Sequence, residues 1–252
     1  RFFTIQNPPG RYLADPFLVE HAGRLLLFAE DYELRSGRGH ISVYEIGRRE
    51  ASPLGVALKE DFHLSFPFVF RFGGELFMVP ETQESQSVRL YRASQDGLKF
   101  SYVKTLLPNT RAVDTLIFFR DGKYWMLTNI DSSPLGEFES ELHVFFADRF
   151  DSENWTPHPQ NPILCDSTRG RNGGLVASGN DIFRVFQRQG FATYGAGMGI
   201  AKISKVSATE YLEEIVEPDV IPIDGARGFH SWSVSQGWAA TDAWGVGSRG
   251  PL

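Results

Sequence analysis

The sequence predicts an all-β fold, a five-bladed β-propeller of four-stranded antiparallel blades filling residues 1–252 as a single domain. Two observations lead there. One apolar hairpin pattern recurs five times at nearly constant spacing, and the composition favours strands and turns. Gly 25 and Pro 14 punctuate a chain that is 42% hydrophobic and 13% aromatic, with Phe 21. Aromatic side chains suit a pleated, half-buried surface and are scarce in disordered segments.

The first copy, ADPFLVEHAGRLLLFAE, runs from Ala14 to Glu30, and the second, SFPFVFRFGGELFMVPE, from Ser65 to Glu81. The third is VDTLIFFRDGKYWMLTN, Val113 to Asn129, and the fourth RNGGLVASGNDIFRVFQ, Arg171 to Gln187. A shorter fifth, FHSWSVSQGWAATDAW, spans Phe229 to Trp244. Each has a polar or small start, an apolar strand, a turn and a second strand ending on an acid or amide. The turn markers Gly23, Gly74, Gly122, Asn180 and Gly237 fall about 50 residues apart, the length of a propeller blade. A third strand also recurs after each pair: HISVYEI from His40, VRLYRA from Val88, LHVFFA from Leu142 and GIAKIS from Gly199. Two β-sandwiches would also alternate strands and turns, but they do not require one hairpin five times over. Residues 137–141 and the Pro-rich 157–162 read as loops. Ser207 and Glu210 could open one helical turn, and the stretch from Tyr211 to Val216 reads equally as an outer strand.

Composition also excludes. With 25 basic against 31 acidic residues the net charge is −6, which disfavours binding that depends on neutralising phosphates, so no nucleic-acid partner is expected. Cys165 is the only cysteine, which rules out an intrachain disulfide and a multi-cysteine zinc site. No apolar run approaches the ~18 residues of a membrane span. No signal-like segment leads the sequence, and the compartment is not readable from it. The sequon at Asn154 carries little weight, since such triplets arise by chance.

Alignment of the copies places Asp15, Phe66, Asp114 and Asn172 at one position, the start of the first strand, and Glu30, Glu81, Asn129 and Gln187 at another, the end of the second. In an antiparallel pair those two positions are neighbours, so both sets are expected to ring one mouth of the propeller. Crowded carboxylates drive some pKa values up. One protonated and one ionised carboxyl are what acid/base work on a glycosidic bond requires. The expectation is therefore a glycosidase or transglycosidase with Asp15 as base or nucleophile, Asp114 as orienting group and Glu81 as acid.

These residues carry a resemblance. ADPF at 14–17 and VDT at 113–115 are similar to the aspartate motifs of the five-bladed glycoside hydrolases of the arabinanase, xylosidase, invertase and levansucrase group. ADPFLVEHAGRLLLFAED, HLSFPFVFRFGGELFMVPET and the region from Gln187 to Gly195 more closely resemble the propeller-like N-terminal region of glucosamine inositolphosphorylceramide transferases and related bacterial proteins. The hydrolase likeness implies base and orienting roles for Asp15 and Asp114 and a glutamate acid at the start of the fourth blade. That position is Asn172, which cannot donate a proton in that role. The transferase likeness implies a propeller that accompanies a separate catalytic domain, and hence a non-catalytic glycan- or glycolipid-binding module as the alternative. A protein-interaction scaffold is a third reading, against which the polar mouth and the lack of repeated WD dipeptides argue.

Substrate-binding candidates are Glu30, Asp31, His63, Asn129, Arg171, Asn172, Gln187, Tyr194, His230 and Asp242. Both histidines equally suit a backbone carbonyl partner, and Arg169 and Arg171 equally suit salt bridges to the ring acids. The expected ligand is an oligosaccharide or glycoconjugate. No cofactor is required, although a channel-bound ion such as calcium is compatible with the acids. HExxH and GxSxG are absent, and the glycines at 195–199 lead into a strand instead of a helix, which excludes a dinucleotide loop.

Overall fold

A computed structural model of the chain describes residues 2–190, 193–220 and 225–245, with the side chains of 193 and 194 excepted. It is an all-β propeller. The first blade comprises β1 (Arg11–His21), β2 (Arg24–Glu33), β3 (Arg38–Ile46) and β4 (Ala51–Leu58), and the second β5 (Ser65–Phe72), β6 (Glu75–Glu81), β7 (Ser87–Ala93) and β8 (Phe100–Pro108). The third holds β9 (Ala112–Arg120), β10 (Lys123–Ile130) and β11 (Glu141–Ala147). Its outer strand is broken into β12 (Thr156–Pro157) and β13 (Leu164–Cys165), both paired with β11. The fourth holds β14 (Asn172–Ser178), β15 (Asp181–Gly190), β16 (Thr193–Val206) and β17 (Tyr211–Val220). In each sheet the strands lie in chain order and pair antiparallel.

The expected fifth four-stranded blade is corrected: among the described residues there are four blades and a two-stranded sheet, β18 (Trp232–Ser235) with β19 (Trp238–Thr241). β18 packs on both β1 and β14, so this hairpin stands between the fourth and first blades. Among the described residues, the fifth copy reproduces the inner hairpin of the repeat and no further strand follows it. The segment from Tyr211 is the outer strand of the fourth blade, and Ser207 closes a turn by accepting from the Glu210 N–H at 3.0 Å.

The turn chemistry explains the hairpins. Ala22 and Gly23, Gly73 and Gly74, Asp121 and Gly122, and Gln236 and Gly237 all have positive φ, as a two-residue turn matching strand twist requires. Because the first blade is covered on both faces, its inner strands are buried on both sides along their middle instead of alternating. Ala14 to Val19 and Leu26 to Asp31 are buried without a break. Aromatic rings seal the seams, with Phe17 edge-on to Phe66 at 4.9 Å and Phe28 to Phe100 at 5.3 Å.

The fourth blade has a polar clasp that the sequence reading missed. Arg184 is fully buried and pairs with Glu213 through two bonds, Nε to Oε2 at 2.8 Å and Nη2 to Oε1 at 2.5 Å, while its Nη2 also donates to the Arg169 carbonyl at 2.9 Å. Arg184→Met should lose roughly 3–5 kcal/mol in urea unfolding, because it strands the buried Glu213 carboxylate. Replacing both partners by apolar residues should recover most of that loss.

Candidate functional site

The site begins with a bulge. In all four blades the pairing of the first two strands slips at the same place: at Ala14/Phe17, Ser65/Phe68, opposite Leu127/Asn129 and at Asn172/Gly174. Asp15, Phe66 and Asp114 occupy these bulges with φ of 49°, 42° and 50°. Such left-handed backbone costs a non-glycine residue about 1–2 kcal/mol and re-aims a side chain that an ordinary ladder would point elsewhere. The strand-end residues lie opposite: Glu30 pairs with Ala14, Glu81 with Ser65 and Asn129 with Val113, and the Gln187 N–H donates to the Arg171 carbonyl at 2.8 Å. The β18–β19 register puts Asp242 at the corresponding end of the hairpin.

Between the hairpin and the first blade, an imidazole bridges two carboxylates. His230 Nε2 lies 3.3 Å from Asp15 Oδ1 and Nδ1 3.1 Å from Asp242 Oδ2. Asp242 also accepts from the Asp15 N–H at 2.9 Å and the Ser231 hydroxyl at 3.1 Å. Burial alone would strip the proton from His230, but Asp242 and Asp15 outweigh it and raise its pKa to about 10. Burial raises Asp15 to about 7 against the pull of His230. Asp242 resists the same burial and stays at about 2 because it holds the imidazolium through both charge and hydrogen bond. Asp15, His230 and Asp242 offer ligand atoms all within 4.8 Å of one another, so among the described residues they could hold a metal ion, on condition that the imidazole gives up a proton.

Between the third and fourth blades, Asp114 is tied down. Its Oδ2 accepts from Arg171 Nε at 2.6 Å and Gln187 Nε2 at 3.0 Å. Asn172 donates its side-chain amide to the Asp114 carbonyl at 2.8 Å and its N–H to Asn129 Oδ1 at 2.9 Å. Asn129, Asn172 and Gln187 are completely buried. They are braces of the ring instead of groups open to a ligand.

Glu81 and Glu30 complete the acid set. Burial lifts Glu81 to about 8, with Asp114 adding and Arg171 opposing. Burial also raises Glu30 well above its ordinary value, with Asp15 and Glu81 adding. His63 Nδ1 accepts the Gly39 N–H at 2.8 Å, and its Nε2 sits 3.7 Å from Glu30 Oε1. A Cβ on Gly39 would fall 2.4 Å from the Leu64 carbonyl and 3.0 Å from Glu30 Oε1, so glycine allows this close approach.

The structure thus brings Asp15, Glu30, His63, Glu81, Asp114, Asn129, Arg171, Asn172, Gln187, His230 and Asp242 to one end. It does not bring Asp31 there. One residue beyond Glu30, Asp31 faces the opposite side and accepts from Arg11 Nη1 at 3.0 Å and the Ser42 hydroxyl at 2.8 Å. Arg169 pairs with Asp166 at 3.0 Å, and the side chain of Tyr194 lies outside the described residues. Sequence reasoning missed Tyr12 and Tyr32. They pair across β1 and β2 two residues out from Ala14 and Glu30, so the period-2 rule applied outward from the acids would have found them. A cleft of about 470 Å³ lined by Glu20, Arg24, Ile46 and Trp238 opens at the far, glycine-turn end, and none of these acids lines it.

His230 binds its proton more tightly in the folded chain than in the unfolded one. The stability it contributes is therefore complete below about pH 6.5 and is lost as pH rises towards about 10. His230→Gln should then cost most stability at about pH 6 and least at about pH 10, read from urea midpoints of the two proteins. A penalty independent of pH would sink the bridging imidazolium.

Solved structures of similar architecture include an α-L-arabinofuranosidase of Podospora anserina in complex with cellotriose, with a TM-score of 0.65 and 9% identity over 91% of this chain and 79% of that one. A GH32 β-fructofuranosidase of Bombyx mori has a TM-score of 0.64 and 16% identity over 97% of this chain and 57% of that one. At such identities the likeness is one of fold. Glucosamine inositolphosphorylceramide transferase 1 of Arabidopsis thaliana is 33% identical over 236 residues, 92% of this chain, and that of Oryza sativa subsp. japonica is 31% identical over 230 residues, 89% of it. The chain spans 30% of the length of either relative. Residues 3–237 match the family described as glucosamine inositolphosphorylceramide transferase 1, N-terminal, and the chain belongs to that family.

Proposed function

We propose that this propeller binds a glycoconjugate at its acid-ringed mouth without turning it over, as the accompanying module of a glycosyltransferase. The observation that carries this reading is Asn172. It stands where the hydrolases' acid is expected and is fully buried, with its amide committed to the Asp114 carbonyl. Asp114 is neutralised by Arg171 at 2.6 Å, and Asp15 shares His230 with Asp242. Hydrogen bonds and ion pairs committed in this way leave few lone pairs free for a reacting group, and the acids form a rigid polar rim that can orient sugar hydroxyls. The relatives' name supplies the ligand class, a glucosamine-bearing inositol phosphate headgroup.

A second reading keeps hydrolysis or glycosyl transfer, with Asp15 as base and Glu81 as acid. It is favoured by one feature, a Glu81 whose proton is held to about pH 8 and so is available at neutrality. Calorimetric titration with glucosaminyl-inositol phosphate should show binding, while nitrophenyl glucosaminides should stay intact. Release of nitrophenol by the wild type, lost in both Asp15→Asn and Glu81→Gln, would replace the binding reading with the catalytic one.

A further inference from the structure

We propose that Tyr12 and Tyr32, together with Glu30 and His63, form a subsite that stacks a pyranose ring at the seam of the first two blades, an assignment that rests on the glycoconjugate-binding reading. The two tyrosines face each other across β1 and β2, and the next pair inward on the same side is Ala14 with Glu30. Their rings lie nearly parallel, 4.8 Å apart at 19°, so they cover each other's inner faces and form a two-layer slab that offers a ligand its outer face. Tyr12 is 39% exposed on it. An aromatic face open to solvent beside buried polar groups matches the two surfaces of a sugar, an apolar C–H face and a rim of hydroxyls.

The polar edge of the slab is built for a hydroxyl. Because His63 Nδ1 already accepts from Gly39, the neutral ring carries its proton on Nε2, on the side of Glu30 Oε1. Burial lowers the pKa of His63, which keeps that ring neutral. The gap of 3.7 Å is too long for a hydrogen bond between them. A ligand hydroxyl placed there can accept from Nε2–H and meet Glu30 with its other side. Tyr32 meets His63 edge-on at 5.8 Å and so fixes the imidazole against the slab. The Tyr12 phenol feels the same acids: burial, then Glu30, Tyr32 and Asp15, push it up to about 12. Two blades thus contribute, the first an aromatic face and the second, through the loop before β5, a donor.

The test is titration of wild type, Tyr12→Ala, Tyr12→Phe and His63→Gln with glucosaminyl-inositol phosphate and with methyl glucopyranoside, read by calorimetry and by saturation-transfer NMR. Tyr12 is partly exposed, so its variants should keep the wild-type circular dichroism and melting curve. Tyr12→Ala should weaken binding about tenfold and Tyr12→Phe by less than about twofold, since phenylalanine keeps the ring face. The pyranose protons, not those of the inositol, should receive saturation most strongly. Wild-type binding that Tyr12→Ala leaves unchanged would overturn the subsite alone. Absence of binding by the wild type to either probe would overturn both the subsite and the glycoconjugate-binding reading.

Discussion

The rest of the structure depends on the one-residue bulge at the start of each blade's inner strand. A regular ladder would use the N–H of that residue for its own sheet and point its side chain at a neighbouring blade. The bulge frees both. The released N–H groups then bond across seams: Asp15 donates to Asp242, Phe66 to the Asp15 carboxylate and Asn172 to Asn129. Where packing holds blades by apolar area, these bonds fix their rotation, because a buried N–H without a partner costs about 1–3 kcal/mol. The acids are therefore part of the closure of the ring before they are part of any site.

That double duty creates an electrostatic problem. Asp15, Glu30, Glu81, Asp114 and Asp242 converge with little water to screen them, and five buried charges of one sign could not persist together. Two solutions are used side by side. Asp114 and Asp242 are met by cations, Arg171 at 2.6 Å and His230 at 3.1 Å. Glu30 and Glu81 instead have their pKa values pushed up, first by burial and then by the neighbouring carboxylates. Asp15 lies between these regimes, raised by burial and held back by His230. The outcome is a rim holding donors and acceptors in fixed positions, which suits recognition of hydroxyls.

How much of this was legible in the sequence followed from range. The hairpins were, because turn glycines and apolar runs are local, and aligning them placed the acids at one end. The fifth blade was overcounted because its two inner strands repeat the pattern, and a repeated hairpin does not by itself imply the outer strands. Partnerships were not legible. Asp15 meets Asp242 across 227 residues and Arg171 meets Asp114 across 57, distances over which no periodicity speaks. Asp31 is adjacent to Glu30 in the chain, yet alternation along β2 sends it to Arg11 on the other face.

An acid is shut out of position 172 by the same packing. Asn172 uses both halves of its amide: Nδ2 donates to the Asp114 carbonyl, and Oδ1 faces Arg184 Nη1 at 3.5 Å. A glutamate there would be one methylene longer in a completely buried space, would turn an oxygen on the Asp114 carbonyl when ionised, and would compete with Glu213 for Arg184. Gln187 is bound into the same unit through the Asn172 carbonyl at 2.7 Å. An acid at 172 therefore could not be installed without reorganising Arg184, Gln187 and the Asp114–Arg171 pair together. Position 172 therefore holds a seam, while on the same ring burial raises the Glu81 carboxyl to about 8.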